Sequence, residues 1–286
     1  MKKILAFVLA IAMIASVAAL SACSKKDDTK KTEETKADTN VDIAKGETAA
    51  VETQALEFED DGVLTMATNA YFPPYEFYDG DTIVGIDAEI GKAIADKLGM
   101  EFKIEDIEFD AIITGVQSGK FDMGMAGMTV TEERLQSVDF SDSYATGIQS
   151  IIVPEGSPIK SIDDILKPGA SYKVGVQLAT TGDIYISDDL GDEATSRVEE
   201  YQTGNDAVAA LSAGKVDAVI IDNEPAKSYV AATSGLVILD TEYVTEDYAI
   251  CFAKGNPLKD KVNTALNELI KDGTVKTIVD KYISAK

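Results

Sequence analysis

A strand–helix unit occurs twice in this chain, and that duplication constrains the fold more than any other feature of the sequence. Residues 110–127 and 206–222 each read as an aspartate near a helix start, two apolar helical turns, a glycine just past the helix end and a short apolar strand. Strands that alternate with helices predict parallel sheets covered on both faces. Because the unit occurs twice, we expect two similar α/β lobes rather than one sheet.

Further segments continue the same alternation. Residues 64–68 and 173–177 are predicted strands. A helix that Gly99 ends carries the following residues on one face: Ile86, Ile90, Ala93, Ile94 and Lys97.

Polar or small residues follow the apolar runs at four predicted strand ends. These strand ends are residues 68–69, 126–129, 177–181 and 222–223. In α/β sheets, ligands bind beyond the carboxyl ends of the strands. If the two lobes face each other, the four loops converge on one cleft.

The amino terminus has the pattern of a secretory signal. Lys2 and Lys3 precede an apolar run over residues 4–20, which Ser16 alone interrupts, and Leu-Ser-Ala-Cys follows at residues 20–23. These four residues resemble the bacterial lipoprotein box, which implies that Cys23 receives the lipid. The alternatives are a transmembrane anchor, or a plain signal peptide followed by a chance cysteine. We therefore expect residues 1–22 to be a signal peptide and the protein to be anchored by lipid to the outer face of the cell membrane.

Composition limits what the rest of the chain can do. Residues 24–57 are rich in Lys, Glu, Asp, Thr and Ala, so residues 23–57 are predicted to be a disordered tether that starts at the lipidated cysteine. The formal net charge of −24 makes nucleic acid or anionic lipid headgroups poor partners. With no histidine in the chain, His-based triads and the commonest transition-metal sites are excluded, and we expect no metal and no cofactor. Cys251, in an apolar run, is predicted to be a buried, inert thiol.

Two strings carry a resemblance to a known family. They are residues 68–77 (TNAYFPPYEF) with 84–87 (VGID), and residues 126–134 (AGMTVTEER) with 138–144 (VDFSDSY). They resemble polar amino-acid-binding proteins of ABC transporters, the bacterial extracellular solute-binding family 3, and the similarity runs from about residue 62 to the end.

The resemblance implies a fold and a way of working. The expected fold is an α/β clamp of the type II periplasmic-binding-protein kind, with two α/β lobes joined by two hinge strands. Such a protein is a monomer and not an enzyme, and it delivers a free amino acid to a permease/ATPase complex. The chain is expected to leave the first lobe near Ser150 and return near Cys251, which gives lobe 1 residues 58–149 and 252–286 and lobe 2 residues 150–251.

The resemblance also assigns roles to the two charged groups of a bound amino acid. Arg134 matches the arginine that pairs with the ligand carboxylate, and its planar fork suits both oxygens. The alternative is a surface arginine on a helix that a capping box of Thr129 and Glu132 begins. Asp222 matches the aspartate that binds the ligand ammonium, and the alternative is a cap for the helix that follows. The Thr129 hydroxyl could cap the helix or contact the ligand.

Neutral residues suggest the ligand side chain. An aspartate commonly stands at the position of Asn69 in relatives that bind cationic amino acids, and Gln177 is also neutral, so we expect an uncharged polar ligand such as glutamine. Phe72 and Phe109 match the walls around the ligand, although either could be plain core. The predicted ligand-binding residues are Asn69, Phe72, Phe109, Ala126, Gly127, Thr129, Arg134, Gln177, Thr180, Thr181 and Asp222.

Two other functions are compatible with this scaffold. One is an enzyme similar to cyclohexadienyl (arogenate/prephenate) dehydratase, which would need an acid such as Asp222 or Glu224 to protonate a leaving hydroxyl. The other is a ligand-sensing lipoprotein that signals through a partner.

Overall fold

The computed structural model describes residues 61–283. The predicted signal peptide, Cys23 with its predicted lipid and the predicted tether lie outside the described residues. Within residues 61–283, no helix combines the length and the apolar character needed to cross a bilayer.

The described residues alternate between strands and helices. The strands are β1 (Val63–Thr68), β2 (Tyr71–Phe72), β3 (Glu76–Asp79), β4 (Thr82–Val84), β5 (Glu101–Asp106), β6 (Met123–Gly124), β7 (Val138–Phe140), β8 (Ala145–Pro154), β9 (Val174–Gln177), β10 (Val198–Tyr201), β11 (Ala218–Asp222), β12 (Leu236–Ile238), β13 (Val244–Tyr248) and β14 (Cys251–Ala253). The helices are α1 (Ile86–Leu98), α2 (Phe109–Gln117), α3 (Glu132–Ser137), α4 (Ile162–Leu166), α5 (Thr181–Leu190), α6 (Ala194–Arg197), α7 (Gly204–Ser212), α8 (Asn223–Ala232), α9 (Leu258–Lys271) and α10 (Thr274–Tyr282).

Each lobe contains one large sheet. The first lobe has the strand order β5-β1-β6-β14-β7, and the second has the order β10-β9-β11-β8-β12 with β13 also paired to β8. A small antiparallel sheet of β2, β3 and β4 lies outside both. The prediction of two α/β lobes is therefore confirmed.

The prediction of parallel sheets is wrong for part of each sheet. Strands β1, β5 and β6 are parallel, as are β9, β10 and β11. Strand β14 pairs antiparallel with β6 and β7, and β8 pairs antiparallel with β11, β12 and β13. The reason is the connection between the lobes, because the chain passes to the second lobe along β8 and back along the antiparallel β13.

The repeated unit forms the same local structure in both lobes. Helices α2 and α7 are followed by Gly119 at φ 72° and Gly214 at φ 68°, in the left-handed region where a side chain would be strained. Gly99 ends α1 in the same conformation, as the sequence predicts. Strands β6 and β11 then continue each unit toward the cleft.

Alternate residues of the central strands face opposite layers of the core. In the first lobe, Met66 packs in one cluster with Ile86 and Ile90 of α1, whereas Ala67 packs in another with Ile112 of α2. Full burial of each Met or Ile side chain contributes about 1.5–3 kcal/mol. Both faces of the sheet are therefore fixed by apolar packing, which leaves the strand ends free to carry polar residues.

Strands β8 and β13 pair from Gln149 opposite Val244 to Ala145 opposite Tyr248. The lobe boundary predicted at 149/150 falls inside β8. The lobe boundaries remain predictions.

Candidate functional site

One cavity between the lobes collects the strand ends. It is lined by Asn69, Phe72, Glu76, Phe109, Ala126, Gly127, Thr129, Arg134, Gln177, Thr180, Thr181 and Asp222. All the predicted ligand-binding residues lie here, and Glu76 is added to them. That these residues bind a ligand remains a prediction.

Arg134 is buried at the cavity rather than lying on the surface. Only 6% of the residue is exposed, and burial lowers the pKa of its guanidinium. Its Nη1 donates to the Thr129 carbonyl at 2.9 Å and its Nη2 donates to the Ala179 carbonyl at 3.0 Å. A guanidinium has five N–H donors, so further donors remain for a ligand carboxylate. The Phe109 ring lies 5.5 Å from the guanidinium carbon, at cation–π distance.

The alternative in which Thr129 caps the helix is wrong. Helix α3 begins at Glu132, and Thr131 is its N-cap, because the Thr131 hydroxyl accepts a hydrogen bond from the Arg134 backbone N–H at 3.1 Å. Thr129 lies two residues too early to reach those donors. Its side chain instead lines the cavity.

Asp222 stands at the end of β11 and lines the opposite lobe's side of the cavity. Its Oδ2 accepts from Gln149 Nε2 at 2.8 Å, and the Tyr248 hydroxyl donates to its Oδ1. It occupies the N-cap position of α8, but its side chain makes no capping hydrogen bond, so the alternative role as a helix cap is wrong. Burial and the charge of Glu246 raise the pKa of Asp222 to about 7.

Two amide side chains connect the lobes across the cavity. Gln177 Nε2 donates to Asn69 Oδ1 at 2.8 Å and to the Gln202 carbonyl at 3.0 Å. Asn69 Nδ2 donates to the Ile107 carbonyl at 2.9 Å. The two neutral residues that suggested an uncharged ligand therefore bond to each other.

The remaining predicted residues shape the walls. Phe72 is buried beside Gly127, where a side chain would come within 2.8 Å of the Phe72 ring, so glycine is required. The Thr180 hydroxyl caps α5, because it accepts from the Asp183 backbone N–H at 3.4 Å and donates to the Gln177 carbonyl at 2.8 Å. The Thr180 hydroxyl thus makes its hydrogen bonds within the protein.

Glu76 is the cavity residue that sequence reasoning missed. It lies on β3, is fully buried, and neither of its carboxyl oxygens has a hydrogen-bonding donor among the described residues. Burial and the charge of Asp87 raise its pKa well above the usual value. Asp87 accepts from the Gly127 N–H at 2.9 Å and from the Tyr144 hydroxyl at 2.8 Å, and burial raises its pKa to about 6. Glu76 belongs to the string 68–77, but nothing in that string gave it a role.

The cavity combines one cation with two carboxylates. Arg134 belongs to the first lobe and Asp222 to the second, so a small molecule with both charges would be held from both sides. Glu76 adds a second carboxyl group, whose raised pKa favours the protonated form beside Asp87. Among the described residues, no group of three or more His, Cys, Asp or Glu is arranged to hold a metal ion.

Comparison with known proteins identifies a family and several relatives. A family model described as "Bacterial extracellular solute-binding proteins, family 3" matches residues 64–285. The arginine-binding extracellular protein ArtP of Bacillus subtilis (strain 168) is 34% identical over 230 residues, which cover 78% of this chain and 87% of ArtP.

Solved structures of amino-acid-binding proteins are also similar to this chain. An ancestral arginine-binding protein bound to glutamine is 41% identical with a TM-score of 0.72, over 78% of this chain and 99% of that one. An ancestral arginine-binding protein bound to arginine is 40% identical with a TM-score of 0.73, over 78% and 99%. The ancestral amino acid-binding protein AncCDT-1, a precursor of cyclohexadienyl dehydratase, is 33% identical with a TM-score of 0.70, over 77% and 95%.

Proposed function

We propose, from the premise that this chain belongs to the bacterial extracellular solute-binding proteins of family 3, that it captures a free amino acid between its lobes and delivers it to an ABC importer. The observation that carries the proposal is the placement of Arg134 and Asp222 on opposite lobes around one cavity. An amino acid brings a carboxylate and an ammonium, and each must be paired when it is buried.

The proposed mechanism is closure by ligand bridging. The ligand carboxylate binds Arg134 and the ligand ammonium binds Asp222. Only a ligand that contacts the closed form better than the open form can shift the hinge equilibrium, and a zwitterion that spans both lobes meets that condition.

Glu76 supports a cationic side chain on the ligand. The zwitterion balances Arg134 and Asp222, which leaves the buried carboxyl of Glu76 lining the cavity beside Asp87, with no cation or N–H donor at its oxygens in the described part of the chain. A guanidinium or ammonium at the end of the ligand would supply the missing charge and the missing donors. Glu76 thereby provides the negative charge that Asn69 lacks, and we propose arginine as the ligand.

Glutamine is the second candidate. The hydrogen bond between Gln177 and Asn69 favours it, because an amide side chain could exchange with that bond without bringing charge into the cavity. Of the similar solved structures, one is an ancestral arginine-binding protein bound to glutamine, and another is an ancestral arginine-binding protein bound to arginine.

The anchor and the partner are further parts of the proposal. We propose that Cys23 carries the lipid, that the tether holds a monomer on the outer face of the membrane, and that a permease/ATPase complex accepts the ligand. The name of ArtP, an extracellular arginine-binding protein, supports this location.

Binding rather than catalysis is proposed for this cavity. Asp222 accepts one hydrogen bond at each carboxyl oxygen and faces the expected ammonium, so with an amino acid bound it is ionised and holds no proton for a leaving hydroxyl. The dehydratase alternative is supported by the similarity to AncCDT-1. Incubation with arogenate separates the two functions, since an enzyme would form product.

A thermal-shift screen tests the ligand assignment. A ligand that binds only the folded form raises the unfolding midpoint by mass action. The screen uses all twenty amino acids and citrulline, which has nearly the shape of arginine without its charge. We expect the largest shift with arginine and a much smaller one with citrulline. The largest shift with glutamine would favour the second candidate, and no shift with any amino acid would contradict the proposed function.

A further inference from the structure

Asp222 is held from behind by both strands that connect the lobes. Gln149 on β8 donates to its Oδ2 at 2.8 Å, and Tyr248 at the end of β13 donates to its Oδ1. Gln149 and Tyr248 are both buried. The proposed ammonium-binding residue is therefore fixed by one donor from each hinge strand.

A second buried carboxylate shares the same amide. Glu246 on β13 is 4% exposed, and its Oε2 accepts from Gln149 Nε2 at 2.9 Å. The two protons of one amide nitrogen thus serve two carboxylates. The other oxygen of Glu246 is buried without a donor in the described part of the chain. Glu246 does not line the ligand cavity.

The groups around these two carboxylates leave their charge uncompensated. The titratable side chains that face them are Tyr75, Glu76, Arg134, Tyr185 and Tyr248. Burial and the charge of Glu246 raise the pKa of Tyr185 to about 12, and burial also raises the pKa of Tyr75 and of Tyr248, so these phenols stay neutral. Arg134 is the cation of this group, and its free donors are assigned to the ligand carboxylate.

We propose that Glu246, although it lies outside the cavity, is a positioning residue that strengthens binding of the ligand ammonium at Asp222, because the two carboxylates together attract a cation more strongly than Asp222 alone. The inference rests on the proposed function, because it concerns the same cavity. Two buried carboxylates joined by a neutral amide retain one proton unless a cation replaces it.

The pairing has a consequence for protons. With the pKa of Asp222 raised to about 7 by burial and by the charge of Glu246, Asp222 carries a proton in the empty protein below about pH 7. The ligand ammonium displaces that proton. Binding is therefore expected to release close to one proton at pH 6 and to strengthen as the pH rises toward 7.

Calorimetry with L-glutamine and L-arginine tests this inference in the full chain. Titrations at pH 6 in two buffers of different ionisation enthalpy give the number of protons released. Glutamine brings no side-chain charge to Glu76, so its proton count reports on Asp222. In Glu246→Gln, Asp222 no longer faces a second carboxylate, but its burial still raises its pKa. Proton release at pH 6 is therefore expected to fall to about half a proton, if the charge of Glu246 accounts for about one pKa unit.

Affinity gives a second readout. At pH 8 Asp222 is ionised in both forms, and Glu246→Gln is expected to bind about tenfold more weakly, since a charge that shifts a neighbouring pKa by about one unit changes cation binding by the same factor. Asp247→Asn is the matched control, because it removes one negative charge from the neighbouring, exposed position of the same strand. It should keep the affinity and the proton count of the unchanged protein.

The outcomes separate the inference from the proposed function. Equal proton release and equal pH dependence in Glu246→Gln and the unchanged protein would overturn the role of Glu246. If Glu246→Gln fails to fold, the pH series of the unchanged protein still tests the inference. An affinity for glutamine that does not change between pH 5 and pH 8 would overturn it. Failure of both amino acids to bind the unchanged protein would contradict the proposed function, and the inference with it.

Discussion

Replacement of Arg134 by alanine tests the centre of the proposed site. Arg134 donates to the carbonyls of Thr129 and Ala179 at 2.9 and 3.0 Å, which fixes the guanidinium plane beside the cavity. The substitution removes this plane and leaves a ligand carboxylate buried without a partner.

The expected loss of affinity follows from the buried pair. Truncation of one partner of a buried, hydrogen-bonded charge pair costs about 4 kcal/mol, which corresponds to a roughly thousandfold weaker Kd. The two lost hydrogen bonds to carbonyls contribute about 1 kcal/mol each to the free energy of unfolding. We therefore expect a protein that still folds, with a midpoint lowered by a few degrees, and that no longer binds at micromolar concentrations.

Arg197 provides a matched control. It is 5% exposed, and its guanidinium donates to the Tyr172 carbonyl at 3.0 Å and to Glu193 at 2.7 Å, away from the cavity. Arg197→Ala should lower the unfolding midpoint at least as much, yet leave the calorimetric affinity within about twofold. Arg134→Lys keeps the charge but loses the planar fork, so an intermediate affinity is expected. An affinity within tenfold of the unchanged protein in Arg134→Ala would refute the carboxylate assignment.

Three further predictions concern the acidic side of the cavity. Glu76→Gln should reduce the ratio of arginine to citrulline affinity toward one, because it removes the carboxyl proposed to bind the guanidinium; an unchanged ratio in calorimetry would contradict that role. Asn69→Asp should strengthen binding of arginine and lysine relative to glutamine, and an unaltered ligand panel would remove Asn69 from the side-chain pocket. Burial raises the pKa of Asp87 to about 6 and, with the charge of Glu246, that of Asp222 to about 7, so the folded state holds these protons more tightly than the unfolded chain. The free energy of unfolding of the empty protein should therefore decrease as the pH rises from about 4 to 7, and a thermal midpoint that increases over this range would be the opposite result.

The repeated unit was sufficient to predict much of the architecture. The glycines after α2 and α7, the strand ends and the apolar face of α1 are local patterns, so the sequence alone indicates them. The direction of a strand is not local. An apolar run such as β8 or β14 reads the same in either direction, and only the path of the chain between the lobes makes these strands antiparallel to their neighbours.

The missed residues share one physical cause. Glu76 lies in a short strand of the small sheet, where a glutamate is typical of an exposed position, and its burial comes from the lobes packed over it. Gln149 is a polar residue within the mostly apolar strand β8, which indicates a special role in the sequence. Its hydrogen-bond partners are distant in sequence, so that role could not be predicted. Glu246 alternates with exposed neighbours on β13, which indicates that its side chain points inward. The alternation does not indicate which residues it contacts.

The hydrogen bonds that the lobes make with each other have a consequence for the transporter. Gln177 bonds Asn69, Arg134 bonds the Ala179 carbonyl, and the Tyr229 hydroxyl bonds the Tyr71 carbonyl, so protein groups alone join the lobes at three points. If the importer accepts the closed clamp, these contacts set how often it meets one that is empty. The strength of these hydrogen bonds would then influence the rate at which the importer hydrolyses ATP without transporting an amino acid. The same bonds that favour capture of a scarce ligand would also favour this uncoupled hydrolysis.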